Sequence, residues 1–495
     1  MPPSIPPESN DTNHGLRKEL GFGDLIPMQV LLTVGLTWAG NAAREGSTHV
    51  ILWLAGTVLL FLPITAVVQY CVRLWPLEGG VYQWTRHALG PFAGFLSAWN
   101  LFVWSITVVS TLGITVAASI SYSLGPRYAW VAESNWAVAG LNIVLFAFIL
   151  GVNIPGLGIG RWVAHFGTAV TLLVTALLLL LIVYHPHATA AHPHHSPQRP
   201  FSLAFPAVTL LTLNLFSKLS FYGLSGIEQA AVFAGETRDP ARSIMRAAWI
   251  AAPLIAAIYI CMSGSMLTYT PADQIDLTAP IPQVLAAGFG TGSASGFDAG
   301  LYLGRIAILL LAMATIAQYS LIVAETSRLP MVAAWDHLLP AWFMRLHPRY
   351  RTPTRSLLVF VAVALLFSLL ASVGAGAQEA FQILTVAGNV CYAIYYLMMF
   401  TVPLTSGGGR GPRPGVLLSL ACLSGILMSF GAIMLSFFPI VDVTNAGLFA
   451  VKIALSTLVI NSLGMLLYRR GAARRHRDIE AGLLRSDSTG ESGVR

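Results

Sequence analysis

One carboxylate sits in sequence built for hydrocarbon. Glu228 lies in FSKLSFYGLSGIEQAAVFAG, inside an apolar run long enough to cross a bilayer. An acid at membrane depth costs roughly 2.5–3.5 kcal/mol or more, and residues kept there commonly mark pathways or proton relays. Burial favours the neutral acid, which suits reversible protonation near neutral pH. Glu228 is therefore the candidate coupling residue, a group that takes up and releases a proton. The alternative reading is an acid that braces an irregular segment by hydrogen bonding. Lys218 precedes it by ten residues, about 15 Å along a helix, which is too far for a direct pair and fits a vestibule or structural role.

Glycines mark two further places. The first apolar run carries Gly35 and Gly40 in VGLTWAGNAAREG, and the sixth carries Gly223 and Gly226 beside Glu228. Glycine costs a helix about 1 kcal/mol relative to alanine. Backbone that unwinds at membrane depth must line a cavity or be buried in protein. Interruptions at corresponding places in two halves of a chain point to a transporter binding site between inverted repeats. Close helix packing by small residues is the competing explanation.

The elements that must position these residues follow from composition. Of 495 residues, 55% are hydrophobic and 10% charged, and the mean hydropathy is +0.69. A soluble domain carries about 25% charged residues, so this chain cannot cover a water-facing surface. Twelve apolar segments are read: Leu25–Ala43, Val50–Val72, Phe92–Ser119, Trp136–Val152, Ile159–Tyr184 and Ala207–Ala234, then Ala247–Leu267, Leu301–Val323, Ser356–Val373, Ala380–Val402, Val416–Phe438 and Gly447–Tyr468. At about 20 residues per crossing, they account for roughly half the chain.

Basic residues orient the spans. With the N-terminus in the cytoplasm, 22 of the 28 Lys and Arg fall on the cytoplasmic side, as the positive-inside rule expects. Both termini are then cytoplasmic, in the cell membrane. The net charge of +7 is spread over short loops and the C-terminal tail, without the continuous basic face a nucleic-acid partner needs. Cys71, Cys261, Cys391 and Cys422 are scattered and form no disulfide or metal pattern. There is no His-Glu-x-x-His, Gly-x-Ser-x-Gly or phosphate-loop motif, so the reading assigns no catalytic residue, metal or cofactor and excludes an enzyme or an ATP-driven pump. Met1 to Gly23 reads as a polar, Pro-rich flexible tail ahead of an internal start-transfer helix, with no cleavable signal peptide.

Three stretches carry a family resemblance. PLEGGVYQWTRHALGPFAGF (Pro76 to Phe95), GIEQAAVFAGETRDPARSIMRA after the sixth-span break, and AETSRLPMVAAWDHLLPAWFMRLHPRYRTP after the eighth span resemble, in order, motifs of the amino acid–polyamine–organocation permeases. The resemblance covers roughly Asp24 to Val402. It implies an all-α LeuT-type fold in which spans 1–5 (residues 25–184) and 6–10 (residues 207–404) are inverted repeats. Spans 11 and 12 (405–468) are then peripheral, flanked by an N-terminal tail (1–24) and a basic C-terminal tail (469–495). It implies a secondary transporter, a symporter or antiporter, working by alternating access. The first span departs from the family's Gly-Ser-Gly pattern, reading Ala39-Gly40-Asn41-Ala42-Ala43 with Arg44 and Glu45 behind it.

On that basis the expected substrate-binding set is Gly35, Thr37, Trp38, Ala39 and Gly40 in span 1, with Tyr222, Gly223, Leu224, Ser225 and Gly226 in span 6. Backbone N–H groups of span 1 would take a substrate carboxylate. Carbonyls at Trp38, Ala39, Tyr222, Gly223 and Leu224 would take its ammonium. Trp38 and Tyr222 would flank the side chain, or serve only interhelix packing. The expected partners are a small amino acid or amine, membrane lipid and, as candidate coupling ion, H+. A polyamine or organic cation transporter and a non-transporting amino acid sensor remain alternatives. Asp24, His49, His165, Arg305 and Glu325 are read as membrane-edge residues. The His- and Pro-rich stretch 185–206 is read as a solvated extracytoplasmic linker, and the loops at 237–246 and 329–355 as topology and gating elements.

Overall fold

Backbone in hydrocarbon must satisfy its own polar groups, so the apolar runs become helices. The computed structural model describes residues 16–184, 200–289, 299–370, 375–405, 412–438 and 445–481. Among these the fold is all helical, with one isolated bridge between Leu20 and Thr237. The His-rich stretch 185–195 and the end of the C-terminal tail lie outside the described residues.

The first apolar run holds α1 (Phe22–Thr33) and α2 (Leu36–Ala43), bent by 49°. α3 (His49–Gly56), a π turn (Thr57–Phe61) and α4 (Leu62–Leu74) make the next span, and α5 (Val81–Leu89) follows the loop. α6 (Pro91–Val109) and α7 (Leu112–Leu124) make the third, α8 (Trp130–Glu133) is a short link, and α9 (Asn135–Asn153) and α10 (Leu157–Tyr184) complete the first set of five. The sixth run begins as α11 (Leu210–Lys218), tightens into a π turn (Leu219–Gly223) and restarts as a 3-10 helix (Ile227–Glu236). α12 (Pro240–Tyr269), α13 (Pro280–Phe289), α14 (Ala299–Thr326), α15 (Arg328–Trp335), α16 (Thr354–Leu370) and α17 (Ala375–Thr405) follow, then α18 (Val416–Ser436) and α19 (Ala446–Glu480).

Nine helices among the described residues are long and apolar enough to cross a membrane, or ten with the bent α1–α2 pair as one span. α16 is shorter, at 17 residues, and α11 with its 3-10 continuation is interrupted; these occupy the ninth and sixth places of the expected twelve. α1 packs against α10, α12 and the sixth-span 3-10 helix, which puts both broken segments at the molecule's centre. α18 and α19 bury the smallest shares of their apolar windows, and Val416 and Leu417 stand almost bare, as side chains facing lipid would. α19 continues through the basic residues to Glu480, passing Gly471 without a break. The N-terminal segment and the end of α19 meet the same loop at one face, the terminal face, where Arg17 donates to the Arg349 carbonyl at 3.0 Å and Gly471 packs on Leu338.

Candidate functional site

A broken helix leaves backbone groups without intrahelical partners, and at the first-span break side chains from two neighbouring spans supply them. Tyr259 of α12 accepts the Gly35 N–H at 2.7 Å and donates to the Thr33 carbonyl at 3.0 Å. Gln318 of α14 donates to the carbonyls of Leu31 and Val34 at 2.8 and 2.9 Å. Val34 and Gly35 are extended, so the chain steps sideways and α2 begins a new helix whose first N–H groups face the gap.

The sixth-span break is built differently. Gly226 has φ +125°, a conformation side-chain-bearing residues avoid, and an added Cβ would stand 2.9 Å from the Leu32 carbonyl oxygen. Its N–H reaches Glu228 Oε2 at 3.1 Å and the Tyr396 hydroxyl at 3.0 Å. Ser225 donates to the Phe221 carbonyl left over by the π turn. The sixth span therefore crosses the first at Leu32 with almost no space between their backbones.

Between the breaks lies a cavity of roughly 120 Å³. Gly35, Thr37 and Trp38 line it from span 1, Tyr222 and Ser225 from span 6, Trp104 from α6 and Asn389 from α17. Trp38 and Tyr222 face each other with ring centroids 5.6 Å apart. None of the lining residues is acidic or basic.

The amino acid permease family matches residues 25–460 of this chain. The chain belongs to that family. An uncharacterized transporter of Legionella pneumophila is 24% identical over 86% of this chain and 91% of its own length. The low-affinity putrescine importer PlaP of Escherichia coli K12 is 25% identical over 70% of this chain and 72% of its own length. The serine/threonine exchanger SteT of Bacillus subtilis is 21% identical over 73% and 78%. Among solved structures, MhsT in complex with L-phenylalanine superposes with a TM-score of 0.59 at 15% identity, covering 84% of this chain and 97% of that one. The permease thus has the LeuT-type fold, and the motif resemblance holds.

Of the ten residues expected at the site, Gly35, Thr37, Trp38, Tyr222 and Ser225 line the cavity of the permease. The other five lie off it. Ala39 and Gly40 are inside α2: the Ala39 carbonyl accepts from Ser263 at 2.9 Å, and a Cβ on Gly40 would stand 2.3 Å from Pro280. Gly40 is a packing glycine, and the helix breaks one turn earlier than the Gly35–Gly40 stretch suggests. Gly223 packs on Trp53 and Trp38, Leu224 is fully buried, and Gly226 seats the crossing on Leu32. Trp38 lies in the first turn of α2, and the carbonyls beside the break are those of Leu31–Val34, at the C-terminal end of α1. Tyr259 and Gln318 went unnoticed in the sequence; the only signal was a polar group in an apolar span.

Glu228, three residues past the cavity-lining Ser225, is fully buried. The membrane-edge residues divide. Asp24 and His165 pair at 3.0 Å. His49 is fully buried, with Nε2 2.6 Å from the Pro200 carbonyl. Glu325, expected at the edge, is fully buried as well.

The three motif stretches converge towards the terminal face on a buried ion cluster. Arg328 Nε is 2.5 Å from Glu236 Oε1 and 3.5 Å from Glu78 Oε1. Arg328 is 3% exposed, Glu236 5% and Glu78 7%, so Arg328, expected among the loop charges, is buried. The Gly235 N–H donates to Glu78 Oε2 at 2.7 Å, and the Gly79 N–H to the Val232 carbonyl at 3.1 Å. Gly79 and Gly80, both at positive φ, let the loop lie against the sixth span, where Cβ atoms would crowd Val332 and the Ala231 backbone. Burial and the Glu236 carboxylate push the Glu78 carboxyl well above the usual carboxylate range, against the pull of Arg328. Glu19 and Leu20 N–H groups bond the Glu236 carbonyl at 3.0 Å, which ties the N-terminal segment to the same cluster. Arg86 and Asp336, 3.0 Å apart, reinforce it beside Tyr82, which also donates to Asp336.

Proposed function

We propose that this permease is a secondary active transporter that moves small amino acids across the cell membrane by alternating access, with both termini in the cytoplasm and with exchange or proton coupling. The observation that carries the reading is the cavity between the two helix breaks. At roughly 120 Å³ and with no acidic or basic residue on its wall, it suits a small zwitterion. The N-terminus of α2 presents N–H groups and partial positive charge to a carboxylate, and the C-terminal end of α1 presents carbonyls to an ammonium. Gly35, Thr37, Trp38, Tyr222 and Ser225 are the contacts; Glu228 is the coupling group.

A diamine such as putrescine, the substrate in one relative's name, is the second reading. It would bring two positive charges into a cavity lined by no acid, and a buried charge without a partner is costly. The cavity therefore favours the zwitterion. Thermal unfolding of the purified protein in detergent, against a panel of amino acids and polyamines, tests this. A ligand at 100 times its Kd adds about 2.7 kcal/mol to the folded state. Stabilisation by small amino acids is expected; stabilisation by polyamines alone would reverse the assignment.

A further inference from the structure

Two buried acids lie within electrostatic reach of each other. Glu228, from the sixth-span 3-10 helix, and Glu325, from α14, are both fully buried. Both carboxylate oxygens of Glu325, and Oε1 of Glu228, accept no hydrogen bond among the described residues. Two other polar atoms there are in the same position. The Tyr395 hydroxyl has no partner among the described residues and lies within electrostatic reach of both acids. Gln229 donates to Tyr392 at 3.1 Å while its own Oε1 goes unbonded. The ionisable groups that reach Glu325 are Glu228, Tyr392 and Tyr395 of α17, and Arg328 one turn further along. Arg328 is already held by Glu236 and Glu78.

The charge count follows. Three buried carboxylates, Glu78, Glu236 and Glu325, lie within electrostatic reach of one guanidinium, and a fourth, Glu228, lies within reach of Glu325. An ionised carboxylate in such a place needs a counter-charge or hydrogen-bond donors, and the one cation of the cluster is committed at its far end. A proton removes the cost with no further partner, and converts one acid into a donor for the other acid or for Gln229 Oε1.

We propose that Glu228 and Glu325 form a two-carboxylate proton site, and that the charge on Glu325 governs Arg328. This deepens, and rests on, the assignment of Glu228 as the coupling group. With a proton on the pair, Arg328 stays with Glu236 and Glu78 and the terminal face stays shut. When the proton leaves, Glu325 becomes a third carboxylate competing for the same guanidinium, from three residues away on the same helical path, where side chains are neighbours. Loss of the proton thereby weakens the closure. Glu325 is a positioning residue for the gate and a binding residue for the proton.

Infrared difference spectroscopy on the full chain in lipid, stepped from acid to alkaline pH without substrate, reads the site directly. The expected result is a deuterium-sensitive carbonyl band of a protonated buried carboxyl, which disappears on the alkaline step. Glu325→Gln is expected to remove that band or shift its midpoint by at least tenfold in proton concentration, and Glu228→Gln to shift the midpoint of what remains. Glu325→Asp, which keeps the carboxyl, is expected to retain a band at an altered midpoint, and covers the case in which Glu325→Gln does not fold. A band indifferent to both Glu325 variants would overturn the proposal. A titration displaced competitively by NaCl would also overturn it, in favour of a monovalent cation. No amino acid enters this measurement, so an intact band with no amino acid uptake would refute the transport reading alone.

Discussion

Arg328 joins three distant stretches with one guanidinium, its partners coming from sequence 92 and 250 residues away. Removing one member of a buried ion cluster costs about 3–5 kcal/mol, since the remaining charges stay desolvated. Arg328→Ala is accordingly expected to lower the unfolding temperature sharply, and Arg328→Lys to recover only part of the loss, because lysine lacks the planar fork. Equal stability of Arg328→Ala and the parent would remove the cluster from the account. Its two acids differ. Glu78 is pushed towards its neutral form, so Glu78→Gln should change stability little, while Glu236→Gln breaks the 2.5 Å contact and should cost more. At the proposed coupling group, Glu228→Gln is expected to abolish pH-driven uptake while leaving substrate binding measurable; full pH-driven uptake by this variant would return Glu228 to a bracing role. Glu228 was legible in the sequence because it stands in mid-span, flanked by glycines. Glu325 and Arg328 were not, because they end a span where acids and bases ordinarily meet water, and nothing local shows that Pro76–Phe95 and the sixth-span continuation fold over them.

The two broken helices line the central cavity. Their existence was readable from paired glycines five spans apart, but not the register of the first break. Gly35 and Gly40 look equivalent in sequence, yet Tyr259 and Gln318 stabilise an opening only at Val34–Gly35, while Pro280 occupies the space beside Gly40. A glycine at the crossing and one away from it are expected to respond differently to alanine. Gly226→Ala places a Cβ at φ +125° and 2.9 Å from Leu32 O, a strain of about 1–3 kcal/mol. It should cripple uptake by forcing spans 1 and 6 apart. Gly23→Ala, on the exposed first turn of α1 with nothing near its Cβ, should leave uptake intact. Initial rates in vesicles, normalised to protein inserted, compare the two; equal effects would show that the crossing is not tight.

At the scale of the whole molecule, class and architecture were open to reading because composition alone demands a multi-span protein and three ordered motifs narrow the family. The expectation that both termini face the cytoplasm rests on the distribution of Lys and Arg. Exposed Glu133 stands at the start of the fourth span and exposed Arg474 on the extension of α19. In intact cells, an impermeant maleimide should modify Glu133→Cys and spare Arg474→Cys until the cells are opened; the reverse pattern would invert the assigned orientation. The central claim, that a small zwitterion is carried through the cavity between the breaks, is tested most directly by uptake of labelled L-alanine, L-serine, L-threonine and putrescine into sealed proteoliposomes under an imposed pH gradient or preloaded for exchange. Saturable accumulation of at least one amino acid, lost when Gly226 is replaced by alanine, is the result predicted. Uptake of putrescine alone, or of none of the four, would contradict it.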